Sequence, residues 1–371
     1  MGKKLIRVIL FPAILCLLLV PASLLVLPKN NTAEAGTLHP DADGILSQRR
    51  DSIDVLFLGD SLAYCGFMPL ELWDTYGIPG FVCSSLAEKT FETQELLEQA
   101  LRCQSPKVVV LDVNVLYWTC KKDAAAFYKL GSKVPVFRYH DRWKSLGGGD
   151  FFSLPHYTAE SPNRGYLMKT GVEYSSPGDY MQAYPGRGRP GQGSLDYLRQ
   201  IAQICAREQI PLVLCSVPSA ANWNGSRHDA IAQIAQELGV PYVDGNLENM
   251  GIDWHTDSPD GGDHMNPRGA AKVTAWIGDY LRRSYGLPDR RERRISGPGW
   301  RQRNSPADFF QRPILKTVEI FAQSWYTCPS PAFCEPQMER NEYNGFICRR
   351  TLAEILREYT GFSGISPQNH V

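Results

Sequence analysis

The strongest constraint on this chain is a set of short, nearly unbroken aliphatic runs spaced along its middle. Asp54-Val55-Leu56-Phe57-Leu58, Lys107-Val108-Val109-Val110-Leu111 and Pro211-Leu212-Val213-Leu214-Cys215 lack the polar alternation of a sheet with one wet face. Pro241-Tyr242-Val243 is a shorter run of the same kind. A strand that is apolar at nearly every position needs cover on both faces. The stretches between supply it, because residues 95–101, 195–207 and 228–238 read as helices. This alternation predicts an α/β fold in which a mostly parallel sheet lies between two helical layers. Such sheets place ligands at the carboxyl ends of their strands, and Gly59-Asp60-Ser61 stands at one such end.

The flanks of this region differ in character. An apolar run from about Val8 to Leu27 follows Lys3, Lys4 and Arg7. Its length suits one membrane crossing, and the preceding cations keep the N-terminus cytoplasmic and the remainder outside. A cleaved signal peptide is the alternative, since Ala33-Glu34-Ala35 offers a small-residue cleavage pattern. The expected organisation is an anchor over 1–28, a linker over 29–51, a catalytic-type domain over 52–290 and a tail over 291–371. Within the domain, residues 120–193 loosen into Gly, Pro, Tyr and Arg and read as an insertion overhanging the strand ends.

Charge excludes little and favours nothing extreme. Lys plus Arg and Asp plus Glu balance at 39 each, which gives no footing for nucleic acid. No GxGxxG or Walker pattern supports nucleotide binding. The ten cysteines lack CxxC metal spacing, and a buried inert thiol is the ordinary reading of Cys83, Cys205 and Cys215. Cys328, Cys334 and Cys348 in the tail lack the partners for a zinc site. His255 lies beside Asp253 and Asp257, yet no second histidine stands at ligand spacing, so no metal is expected. His140 in the insertion reads as a surface residue.

Two stretches carry chemistry. A serine hydroxyl needs a base beside it and donors for the oxyanion it creates. Ser61 follows a buried strand and a glycine, where its hydroxyl can be exposed and its own N–H can serve as one donor. The plain alternative is a turn in which Asp60 or Ser61 caps a helix. Far downstream, Asp260-Gly261-Gly262-Asp263-His264-Met265-Asn266-Pro267-Arg268-Gly269-Ala270 opens a helix, with Asn266 as N-cap and Pro267 as its first residue. His264 thus lies in a fixed loop, where a nearby carboxylate can hold its ring.

Together, strand-Gly-Asp-Ser and Asp…His-x-Asn-x-x-Gly resemble the SGNH (GDSL-like) hydrolase superfamily over roughly residues 53–290. The anchor and the Asp-His-Met-Asn-Pro-Arg-Gly-Ala run are similar to bacterial surface proteins of polysaccharide O-acetylation and teichoic-acid D-alanylation. The resemblance implies a flavodoxin-like α/β/α sandwich and a Ser-His-Asp triad of Ser61, His264 and an aspartate. The family commonly places that aspartate three residues before the histidine, which here is Gly261. Asp260 is preferred, because two glycines can let its carboxylate fold back, and Asp263 stays as the alternative. The oxyanion donors it implies are the Ser61 N–H, the Asn114 side chain and a block-two glycine N–H. Ser84-Ser85-Leu86-Ala87 lacks that glycine, which leaves Ala87.

The resemblance implies an extracytoplasmic serine O-acyltransferase or esterase of a cell-surface glycan, without cofactor. It would work beside a multi-pass membrane O-acyltransferase at the bacterial cell membrane. A carbohydrate deacetylase and a non-catalytic glycan-binding scaffold are the competing readings.

Overall fold

The computed structural model describes residues 2–183 and 188–291. Five strands form one all-parallel sheet: β1 (Val55–Gly59), β2 (Gly80–Ser84), β3 (Val108–Asp112), β4 (Leu212–Ser216) and β5 (Tyr242–Asp244). Their order is β2-β1-β3-β4-β5, the flavodoxin-like arrangement. The helices are α1 (Gly2–Val26), α2 (Pro40–Asp43), α3 (Ser61–Gly66), α4 (Pro69–Tyr76), α5 (Thr90–Ala100), α6 (Lys122–Lys133), α7 (Pro135–Tyr139), α8 (Gln192–Arg207), α9 (Gly225–Leu238) and α10 (Pro267–Tyr285).

Alternate strand residues feed two separate cores. Val55, Phe57, Val108, Val110 and Val213 point to α3, α4 and α10, where Ala270, Val273, Ile277 and Leu281 form one stripe. Leu56, Leu58, Val109, Leu111, Leu212 and Leu214 point to α5, α8 and α9, meeting Leu97, Leu198, Ile201 and Ile231. Two apolar faces per strand explain the unbroken aliphatic runs. Burying each such side chain stabilises the fold by roughly 1.5–3 kcal/mol before entropy is counted.

Two expectations need adjustment. The 29–51 segment does more than link, because Ala42, Ile45 and Leu46 in and after α2 are buried in the α5-side core. The insertion is not irregular throughout, since α6 and α7 occupy its first part; among its described residues 152–183 hold neither helix nor strand. The expected anchor falls on α1, and among the described residues no helix is long and apolar enough to cross a membrane; the side chains of residues 2–9 and of Pro12 lie outside those described. The last turns of α1 rest on the domain, where Arg142 donates to Val26 O at 2.8 Å and Leu27 O at 2.9 Å. The domain closes at Arg290, which bonds buried Asp54 through Nε at 2.7 Å. From residue 292 onward the tail and its three cysteines lie outside the described residues.

Candidate active site

Register places the candidate residues at one end of the sheet. Leu58 pairs with Cys83 and with Leu111. Ser61 therefore lies three residues beyond Leu58, Asn114 three beyond Leu111 and Ala87 four beyond Cys83. All three leave the carboxyl ends of neighbouring strands, where polar residues can sit without disturbing either core.

Gly59 makes the turn into α3 possible. Its φ of +146° is rare for an L residue, and a Cβ there would lie 2.9 Å from both the Ala63 and Asp112 Cβ atoms. Asp60 then caps α3 by accepting from Leu62 N–H at 3.0 Å. The capping alternative read from the sequence is thus real for Asp60, and it coexists with Ser61 at the first helical position. Asp60 also accepts from Asn114 Nδ2 at 2.7 Å and from Trp118 Nε1 at 2.6 Å. Burial raises its pKa against these three donors. One N–H of the Asn114 amide is thereby committed to Asp60, and the second is left for a ligand. Arg227 lies behind Asn114, with its guanidinium 3.4 Å from Asn114 Oδ1 and 3.9 Å over the Tyr117 ring.

The position without a glycine has an unexpected solution. Ala87 adopts φ +50°, a left-handed conformation costing an L residue roughly 1–2 kcal/mol. Its carbonyl accepts from the Lys89 ammonium, which also stands 5.0 Å over the Trp118 ring. The backbone thus takes the shape a glycine would favour, with alanine supplying it.

His264 is held by its own loop. Gly261 and Gly262 have φ values of +70° and +98°, and the reversed chain brings Asp260 back over the histidine. Asp260 Oδ1 accepts the His264 backbone N–H at 2.9 Å, and Oδ2 meets Nδ1 at 2.7 Å. Asp263 Oδ2 is farther from Nδ1, at 3.4 Å. Asp263 is turned elsewhere, accepting from Asn222 Nδ2 at its carboxylate and from Ser219 Oγ at its carbonyl, the latter at 2.8 Å. Asn266 caps α10 as expected, accepting from Arg268 N–H at 3.0 Å. Burial opposes ionisation of Asp260, but bonds from His264 and Lys169 outweigh it and hold the carboxyl well below the usual range.

Ser61 and His264 are each 7% exposed. Among the described residues no hydrogen bond joins them. Their surroundings nonetheless share one field. Asp60 is stabilised as an anion by His264, and Cys65, one turn after Ser61, responds to Lys169, Asp260 and Asp263. Burial pushes the Cys65 thiol up to about 12, so it stays protonated and is no rival nucleophile. Asp260, Asp263 and His264 bring ligand-type atoms within 4.8 Å of one another, and the Lys169 ammonium sits among them. Two other candidate histidines, His255 and His140, make different contacts. His255 packs on Tyr174 with ring centroids 4.5 Å apart, and His140 is exposed.

Glu88 lies fully buried after Ala87, bonded by Thr93 Oγ1 at 2.6 Å and Ser85 Oγ at 2.9 Å. Burial drives its pKa well above the usual carboxylate range. A carboxyl raised in the folded state contributes most below its unfolded value and loses that contribution as pH rises toward the folded one. Glu88→Gln is therefore expected to raise the melting temperature at about pH 8 and to change it little at about pH 4. Scanning calorimetry at both values checks this, and a pH-independent difference would contradict it.

No protein-family model matches this chain, and no curated protein matches it. Among solved structures it is similar to a GDSL-like lipase from Bacteroides thetaiotaomicron, at 12% identity over 68% of this chain and 95% of that one, with TM-score 0.33. It is similar to a psychrotrophic esterase from Pseudoalteromonas sp. at 13% identity, covering 63% and 98%, with TM-score 0.37. An acetyl xylan esterase matches at 15% identity over 62% and 100%, with TM-score 0.32. Likeness this distant carries no argument about chemistry, and the fold stands on the strand order above.

Proposed function

We propose that this chain is a serine esterase or O-acyltransferase of the SGNH (GDSL-like) type, acting through an acyl-Ser61 intermediate. The observation that carries the reading is the clasp of Asp260 on His264, one carboxylate oxygen on the backbone N–H and the other on Nδ1. That bond fixes the tautomer with the lone pair on Nε2, the form a general base needs. Ser61 Oγ attacks the acyl carbonyl while Nε2 takes its proton. The oxyanion is met by the Ser61 N–H, the Ala87 N–H and the free N–H of Asn114. Nε2 returns the proton to the departing alcohol, and water or a sugar hydroxyl then resolves the acyl-serine.

The acyl groups are those of a cell-surface glycan, with Trp118, 39% exposed and bonded to Asp60 next in sequence to Ser61, offering an aromatic surface for a sugar. Anchoring through α1 sets the domain outside a bacterial cell membrane, alongside a multi-pass O-acyltransferase. Support for that placement is the row of exposed apolar side chains Leu10, Phe11, Ile14, Leu17 and Leu18 and the cations before it. Transfer and hydrolysis share every step up to resolution.

The test is incubation of the full chain, in detergent micelles, with a fluorophosphonate probe, followed by peptide mapping. One adduct on Ser61 is the expected result. A folded chain that takes no probe favours the glycan-binding scaffold. Supplying an acetylated oligosaccharide with and without a second acceptor then separates transfer from deacetylation.

A further inference from the structure

The insertion contributes a side chain to this cluster that no motif announces. Lys169 belongs to a stretch held by backbone bonds on either side of the cleft. Leu167 N–H donates to Tyr64 O in α3 at 2.9 Å, and Glu173 N–H donates to Ser258 O in the histidine loop at 3.0 Å. Asn266 Nδ2 adds a bond to Gly171 O at 3.0 Å. The ammonium is therefore delivered by a tethered backbone. Nζ donates to Asp260 Oδ2 at 2.5 Å, the same oxygen that takes His264 Nδ1–H, and lies 3.2 Å from Nδ1 itself.

Several other charges face the imidazole. Asp260 and Asp263 lie at 2.7 and 3.4 Å from Nδ1. Buried Asp60 interacts with the ring from the α3 side, and Glu173 stands against Gly261. All four carboxyl groups, when ionised, favour the imidazolium. Cys65 is held neutral by burial. Of these groups only Lys169 opposes protonation of the ring.

We propose that Lys169 is a positioning residue: it pins Asp260 in the orientation that clasps His264 and sets one positive charge beside Nδ1, among the carboxyl groups that surround the ring. The benefit to catalysis rests on reading His264 as the base of Ser61, whereas the effect on the ring does not. Because the Lys169 side chain is 44% exposed, water screens it. The effect is therefore set at about one pH unit, the low end for a neighbouring charge.

The experiment is an NMR titration of the histidine rings in the full chain, with the His264 signal assigned by its loss in His264→Gln. Lys169→Met is expected to raise the His264 midpoint by about one unit, while Lys169→Arg keeps it near the wild-type value. Ester turnover against pH is recorded in parallel, and its acid limb is expected to move with the ring. A His264 midpoint unchanged in a natively folded Lys169→Met chain overturns the proposal. A midpoint that moves in a protein with no turnover at any pH supports it and removes the catalytic reading instead.

Discussion

Alanine at Ser61 is expected to lower ester turnover by about 10⁴-fold or more, alanine at His264 by a similar factor, and the double substitution by no more than either. The non-additivity is the informative part. Without the serine there is nothing for the base to activate, and without the base the hydroxyl is left at its ordinary weak nucleophilicity. Residual turnover would come from binding and the oxyanion donors. Asp260→Asn belongs to the same series, with an expected loss of about 10³–10⁴-fold through the wrong ring tautomer. Asp263→Asn should cost less than about tenfold, because Asp263 is already engaged by Asn222. Values of kcat/KM for a nitrophenyl acetate decide the matter. Equal losses at the two aspartates, or additive effects of Ser61 and His264, would dismantle the unit described above.

Gly59→Ala is expected to destabilise the domain by about 3 kcal/mol or more, through strained φ and forced packing together. That corresponds to a fall of roughly 6–12 °C in melting temperature for a domain of this size. Neither neighbour of the new methyl can yield cheaply. Ala63 is on the buried face of α3, and Asp112 ends a central strand while bonding Val217 N–H at 3.0 Å. Asp112 Oδ2 is buried without a partner among the described residues, and burial, followed by repulsion from Asp60, raises its pKa well above the usual range. A methyl pressed against it disturbs a site with no slack. Thermal unfolding followed by circular dichroism reads the change, and a loss under about 1 kcal/mol would show that the turn relaxes freely.

The strands were legible because burial on both faces writes itself as aliphatic runs. Each of the four strands read from such a run nonetheless ends one residue later than the run, at Gly59, Asp112, Ser216 and Asp244. Those last residues are small or polar because they border the cleft, so the pattern that reveals the core conceals the strand ends where chemistry is placed. Asn266 and Pro267 were readable since helix capping is local. The fold-back of Asp260 was readable too, because two glycines relax the chain between it and His264. Lys169, Trp118 and Arg227 were not. They come from stretches with no periodicity or from a helix start, and only tertiary structure brings them to Asp260, Asp60 and Asn114. Ala87 was legible as a departure from the family pattern, but its left-handed backbone was not.

The tether between Tyr64 and Ser258 has a further consequence, for the order in which the protein becomes dangerous to its surroundings. Ser61 leaves the ribosome early, and its base follows roughly two hundred residues later. Residues 164–175 emerge between them and can settle on α3 before the histidine loop exists to receive their other end. During most of synthesis the serine therefore has no imidazole, and a nascent or truncated chain carries an inert hydroxyl. On the proposed reading, reactivity requires α10 to dock and the loop before it to close on residues 167–173, which Tyr64 and Ser258 hold.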